Sequence, residues 1–275
     1  MADEPILLTD DPAPHVRRLT LNRPGKRNAL SNALRGEIFS ALEAGDADSE
    51  VHVMIIRGAG TCFSSGYDLA YLGPTPYHAA GGQGSWARHV VEGCFKVWDL
   101  AKPVIAQVHG WCLAGGSELA VACDLVYVAE DAQIGYPPVR SISPPDNHYH
   151  AWLMGMRAAM EQMLTGDAID GLEAVRLGFA NRAYPAGDLE SQVLAMASRI
   201  AKVDPELAQL NKRAVHRQME AMGMRNGLRA GTELQAMGMT TQASREYMAK
   251  MRQDVRSALD VRDAPFLDYR TTGRD

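Results

Sequence analysis

Glu118 stands in "GGSELAVACDL" (115–125), at the head of a run that is wholly apolar as far as Asp124. A carboxylate entering an apolar helix is partly desolvated, which raises its pKa toward neutrality and suits it to take and return protons. An acid in the first turn of a helix also stabilises that helix through its dipole, and the local sequence fits both uses. The glycine pair before it repeats a feature met earlier in the chain. When "VMIIRGAGTCFSSGYDLA" (53–70) is set above "PVIAQVHGWCLAGGSELA" (103–120), six of eighteen positions are identical at an offset of 50: Ile55/Ile105, Gly60/Gly110, Cys62/Cys112, Gly66/Gly116, Leu69/Leu119 and Ala70/Ala120. Asp68 faces Glu118 in the same comparison. Each copy runs apolar strand, Gly-rich turn, then an acid at a helix start, and stacked units of this kind bring equivalent turns side by side. Such turns leave backbone N–H groups unpaired at the positive end of a helix, so two of them together can hold one oxyanion. Alone, the glycines are equally compatible with tight turns and close packing.

A second acid closes "IGYPPVRSISPPD" (134–146), where four prolines precede Asp146. Prolines fix the backbone and remove donors, so the stretch is stiff. Asp146 is either aimed by that stiffness or caps its own turn, a common use of Asp after Pro. His148 and His150 follow in "DNHYHAW", either packed or available to join Asp146 as a base or to orient a water.

The elements that must position these groups can be read from periodicity. Strands are expected at 15–23, 51–58, 102–110 and twice within 124–137, with helices at 31–45, N-capped by Ser31, and at 86–100. This alternation predicts an α/β domain. From about residue 150 the strand signal stops, and helices are expected over 151–164, 171–180, 189–202, 205–222 and within 225–260. The expected division is a core at 1–200 and a helical region at 201–275. Met219, Met222, Met224, Met237, Met239, Met248 and Met251 crowd that region, as suits a deformable core or subunit interface. The Gly/Pro-rich 73–85 is long for a simple connection and is expected near a ligand.

With a net charge of −5 and a pI near 5.9, the chain has no global basic field for a nucleic acid or an anionic membrane. Any anionic ligand must meet local cations. The four cysteines show neither CxxC nor zinc spacing, no run approaches the ~20 apolar residues that span a bilayer, and the N-terminus is acidic where a secretory signal would be basic. A cytoplasmic protein without disulfides is expected.

"NRPGKRNALS" (22–31), "CFSSGYDL" (62–69), the segment 102–135 and "LTGDAIDGLEAVRLGFANRAYP" (164–185) together resemble the crotonase superfamily, the enoyl-CoA hydratase/isomerase group, and "DVRDAPFLDY" (260–269) is similar to its usual C-terminal end. The resemblance runs in order through residues 15–200. It implies a spiral of ββα units, a C-terminal α-helical trimerisation region, a homotrimer or dimer of trimers, and an acyl-CoA thioester as ligand. It implies no metal and no cofactor beyond the coenzyme A of the substrate. The thioester oxygen is expected between the backbone N–H groups of Tyr67 and Gly115, with Glu118 as the catalytic base. Lys26, Arg27 and Ala29 match the part that meets CoA. Ser65, Gly66, Asp68, Leu69, Trp111 and Gly116 are expected around the thioester and acyl group, with Trp111 in the core or pocket wall.

The pattern breaks at Pro138. Hydratases of the group carry a second glutamate in a segment like "FGQPE", and here that segment reads "IGYPP". A hydration mechanism built on two glutamates is therefore not expected. Related isomerases use a carboxylate at the place of "SPPD", so Asp146 is the expected partner of Glu118 and double-bond isomerisation is favoured over hydration. Two alternatives stay open: a non-catalytic CoA-binding scaffold, and a carbon–carbon hydrolase using Asp146 with His148 or His150.

Overall fold

The computed structural model describes residues 4–69, 75–78, 81–82 and 84–269. Its main sheet has six strands in the order β1-β2-β3-β4-β6-β8. These are β1 (Leu7–Ala13), β2 (Val16–Leu21), β3 (Val53–Gly58), β4 (Val104–Val108), β6 (Leu125–Ala129) and β8 (Arg182–Tyr184). Only β1 runs antiparallel to its neighbour, β2. The parallel strands β3 and β4 are buried almost throughout, which explains their near-continuous apolar sequences. A second sheet pairs β5 (Trp111–Leu113) with β7 (Gln133–Gly135) in parallel.

Helix α1 (Asn32–Ala47) begins where the Ser31 hydroxyl accepts the Leu34 N–H at 3.2 Å, as its sequence predicts. Helices α2 (Ser85–Trp98) and α3 (Gly115–Ala122) pack on each other, and α6 (Leu189–Ile200) lies against β3, β4 and β6. The strap between β7 and α4 (His150–Thr165) carries the prolines, and Pro137–Arg140 forms one turn of 3-10 helix within it. After α5 (Gly171–Leu177), the chain beyond residue 204 is helical: α7 (Pro205–Ala221), α8 (Met224–Gly238), α9 (Gln242–Gln253) and α10 (Val255–Asp263), then a short 3-10 turn.

Several expectations are corrected. The strand signal does not end at 150, because Arg182–Tyr184 pairs with Tyr127–Ala129 at the sheet edge; three residues are too few for a period to show. The acidic "LLTDDPA" forms β1, its Asp10 and Asp11 bound to Arg18 and Arg17 of β2 at 2.6 and 2.9 Å. Asp68 starts no helix: Asp68 and Leu69 lie outside any helix, and Asp68 pairs with Arg23 at 2.8 Å. Ala70 of the repeat and residues 73, 74, 79, 80 and 83 of the Gly/Pro loop lie outside the described residues. The methionines divide: Met224 and Met251 are buried, whereas Met222 and Met237 are exposed. Among the described residues no helix is long and apolar enough to cross a membrane.

Candidate active site

The two Gly-rich turns do lie side by side, through a slip that the repeat does not announce. In the sheet the offset of 50 holds, with Ile55 opposite Ile105. Beyond the strands it becomes 48: Ser64 bridges Cys112, the Ser64 N–H donates to Trp111 O at 3.0 Å, and the Leu113 N–H donates to Ser64 O at 3.0 Å. This slip sets Tyr67 beside Gly115. Gly66 occupies φ +101°, and a Cβ there would lie 2.9 Å from Leu113 O and 3.2 Å from Gly115 N, so glycine alone lets the turns approach. Ala114 caps α3 at φ 49° and ψ −122°, a conformation costly for a residue with a side chain, and Gly115 follows as the first residue of the helix, whose N–H has no acceptor within it. Gly116 has no room for a side chain over the Ser64 carbonyl.

Glu118, one turn into α3, is 1% exposed. Its carboxylate accepts the Tyr67 hydroxyl at 2.9 Å on Oε2 and the Asn147 N–H at 3.1 Å on Oε1. Burial pushes its pKa up to about 7, outweighing these hydrogen bonds and those from Tyr136 and the Asp146 backbone, all of which favour the anion. Asp146 is 5% exposed and its Oδ1 has no partner among the described residues. The Tyr136 hydroxyl accepts the Asp146 N–H at 3.2 Å and lies 3.5 Å from Oδ2, and the Trp86 indole also bonds this carboxyl. Burial first, then the charge of Glu118, holds Asp146 well above the usual carboxylate range. The two acids thus sit in each other's field, where ionising one opposes ionising the other.

The strap is fixed from outside. The Arg140 side chain is buried and binds Asp263 at 3.1 Å and Asp268 at 2.6 Å, while Ser143 and Pro144 pack on Gly238 of α8. Pro138, half-buried in the 3-10 turn, contributes no acid; Asp146 supplies the carboxyl beside Glu118. His148 packs its ring on Gly231 of α8. His150 is buried, with its ring edge-on to Tyr136 at 6.1 Å, and burial lowers its pKa to about 4.

Lys26 lies exposed in the 3-10 turn Pro24–Lys26, and Arg27 follows at φ 49° with its guanidinium 4.7 Å from the centre of the Trp111 ring. Trp111 is therefore a platform for Arg27. The Ser65 N–H donates to Arg27 O at 3.0 Å, joining this segment to the oxyanion turn. Asn28 cements the join, its Nδ2 donating to Ala59 O and Cys62 O, both at 2.8 Å. Ala29 is half-buried beside it, and Leu69 is exposed at the rim. Sequence reasoning missed Asn28, Trp86, Tyr136, Asn147 and the phenol of Tyr67. Each acts by reaching another element, and no local spacing marks that. Among the described residues no group of three or more His, Cys, Asp or Glu side chains is placed to hold a metal ion.

Two Gly-rich turns set side by side next to a pair of buried carboxyls are chemically suited to hold an anion while protons move. Residues 13–254 match the family model described as enoyl-CoA hydratase/isomerase. A Mycobacterium tuberculosis protein whose name places it among enoyl-CoA hydratases, EchA13, is 35% identical over 229 residues, covering 76% of this chain and 72% of its own. The 2,3-dehydroadipyl-CoA hydratase of Escherichia coli is 32% identical over 78% of this chain and 82% of its own. The crystal structure of an enoyl-CoA hydratase/isomerase from Xanthobacter autotrophicus Py2 superposes with a TM-score of 0.85 at 34% identity, covering 95% of this chain and 98% of that one. The chain belongs to the enoyl-CoA hydratase/isomerase family, with the crotonase fold, and is an enzyme of the lyase or isomerase class.

Proposed function

We propose that the protein binds enoyl-CoA thioesters and moves a proton along the acyl chain, shifting the double bond rather than adding water. The observation that carries this reading is the pairing of Glu118 with Asp146 beside the Tyr67 and Gly115 N–H groups. The thioester oxygen accepts those two N–H groups. Ionised Glu118 removes a proton from the α-carbon of a 3-enoyl thioester, and the electron pair passes onto the thioester oxygen, leaving a dienolate. Collapse of this dienolate takes a proton at the γ-carbon, from Asp146 or from protonated Glu118 itself, and leaves the conjugated 2-enoyl thioester. Two coupled buried carboxyls suit this exchange, since such a pair retains one proton while its partner is ionised.

Lys26, Arg27 and Ala29 meet the CoA moiety, and no metal or redox cofactor enters the reaction. A homotrimer or dimer of trimers, assembled through 201–275 as a region distinct from 1–200, belongs to the same reading, as does a cytoplasmic location. The exposed Met156, Met160 and Leu164 on α4 are apolar surface of the kind that subunit contacts cover.

Hydration is the second reading, favoured by the unpartnered Asp146 Oδ1, which could accept a water. Purified protein incubated with 3-enoyl-CoA and 2-enoyl-CoA of several chain lengths separates the two. Rising thioester-conjugated absorbance from 3-enoyl substrates supports isomerisation, and falling absorbance from 2-enoyl substrates supports hydration. Turnover of neither sinks both and favours a binding-only protein.

A further inference from the structure

Arg35 lies on α1, is 5% exposed, and lines a small cavity bounded by Tyr67 and Gly115 of the oxyanion turns, Leu119 and Ala122 of α3, and Cys94 of α2. A guanidinium taken out of water costs several kcal/mol unless an anion or a full set of acceptors answers it. Here the answers are few. Its Nη1 donates to Asn32 Oδ1 at 3.2 Å, the Tyr77 hydroxyl also meets it, and its Cζ sits 5.4 Å from the ring centres of both Tyr67 and Trp86. Ring faces attract a cation and position it, but they do not use its directed N–H groups. Among the described residues no aspartate or glutamate forms an ion pair with Arg35, in contrast to the carboxylates held by Arg18, Arg140 and Arg225. Asp146 feels its charge only at longer range.

The cavity that Arg35 faces measures about 30 Å³ and is otherwise lined by apolar side chains such as Leu30, Ile38 and Val90. A water needs on the order of 10–15 Å³ by the same measure, so the space suits a group of two or three heavy atoms. We propose that Arg35 is a specificity residue that receives a carboxylate at the far end of the acyl group, making the preferred ligand a CoA thioester of a short dicarboxylic acid. A planar guanidinium is the side chain best matched to a carboxylate, and the surrounding apolar wall strengthens the pair by excluding water. A methyl-terminated acyl chain in the same place leaves the buried cation unanswered.

This inference rests on the reading of the site as an acyl-CoA pocket, and its test uses saturated thioesters so that no proton chemistry enters. Calorimetric titration of the full-length protein compares butanoyl-, pentanoyl- and hexanoyl-CoA with succinyl-, glutaryl- and adipyl-CoA. The expected result is that one carboxyacyl thioester binds at least tenfold more tightly than its methyl-terminated partner of equal length. In Arg35→Met that preference disappears, the two affinities falling within threefold of each other, and Arg35→Lys keeps part of it. Equal binding of the paired thioesters by the unaltered protein, which needs no variant to fold, overturns the assignment, as does a preference that survives Arg35→Met. If carboxyacyl-CoA binds preferentially while no enoyl-CoA is turned over, the proposed reaction fails and the role of Arg35 stands; if nothing binds, both fail.

Discussion

Replacing Glu118 by glutamine should remove activity and stabilise the protein, and the two effects have one cause. Among the hydrogen bonds the carboxyl accepts are those from the Tyr67 hydroxyl and the Asn147 N–H. An amide can keep both contacts, its oxygen accepting from Asn147 and its NH₂ donating to a Tyr67 hydroxyl that has rotated. The shape of the site is therefore retained while the base is lost, and a positioned general base contributes about 10²–10⁴ in rate. The stability effect follows from the pKa. An ordinary glutamate titrates at 4.5, and folded Glu118 at about 7. Between these values the native state holds a proton that the unfolded chain has released, so stability falls as pH rises from 4.5 to 7 and stays reduced above it. The difference of about 2.5 pKa units corresponds to about 3 kcal/mol at 1.36 kcal/mol per unit.

Glu118→Gln escapes this cost. At pH 8 its melting temperature should exceed that of the unaltered protein by about 6–12 °C, at roughly 2–4 °C per kcal/mol. At pH 4.5 the two proteins should melt together. Scanning calorimetry at both pH values, beside kcat/KM with enoyl-CoA substrates, checks the pair of outcomes. In the unaltered protein kcat/KM should rise with pH through about 7 as Glu118 ionises. A Gln variant that keeps activity within threefold, or that melts lower than the unaltered protein at pH 8, would refute the reasoning, because a buried functional carboxylate must be costly to hold ionised.

Two further perturbations probe the neighbours of the acid pair. Tyr67→Phe removes the hydroxyl that favours ionised Glu118, so the pH–rate profile should move to higher pH and turnover near pH 7 should fall about tenfold, in line with the loss of a hydrogen bond to a charged group. A profile that does not move would show that the phenol is packing alone. Arg140→Met leaves Asp263, which is fully buried, with Arg262 as its remaining ion-pair partner and frees the strap that carries Asp146. Urea titration should show a loss of about 3 kcal/mol, with reduced turnover in the fraction that stays folded.

What the sequence revealed follows from how local each signal is. β3 and β4 are legible because a parallel strand buried on both faces must be apolar along its whole length. The start of α1 is legible because a cap is made by a residue three positions from its partner. Glu118 stands out because a lone acid in an apolar helix is rare enough to need a reason. Arg35 escapes notice for the opposite reason: an arginine in a helix of mixed polarity reads as a surface residue, and only the packing of α1 against Tyr67 and Trp86 encloses it. The slip from 50 to 48 between the two turns is equally hidden. Identical residues at one offset suggest rigid translation of a unit, whereas the first copy takes two more residues from Arg57 to Ser64 than the second takes from Gln107 to Cys112, and no composition marks them.

The strap from Pro137 to Asn147 bears on why the position of the second acid along the chain need not be fixed. Glu118 is placed by a helix whose first turn begins at Gly115, the donor proposed for the oxyanion, so it can move little without losing that donor. The acid beside it has no such tie. It arrives on an irregular segment held at both ends, by β7 before it and by α4 after it, and braced midway by Arg140 against the C-terminal helices. Any residue of that segment whose side chain reaches the space beside Tyr136 would experience the same burial and the same field from Glu118. The prolines favour Asp146 for this place by holding the segment in one conformation, since a looser strap would let a charged side chain swing out to water at little cost. On this argument the absence of an acid at Pro138 and the burial of Asp146 are two consequences of one design, in which the strap is made rigid first and its single carboxylate is delivered at its end.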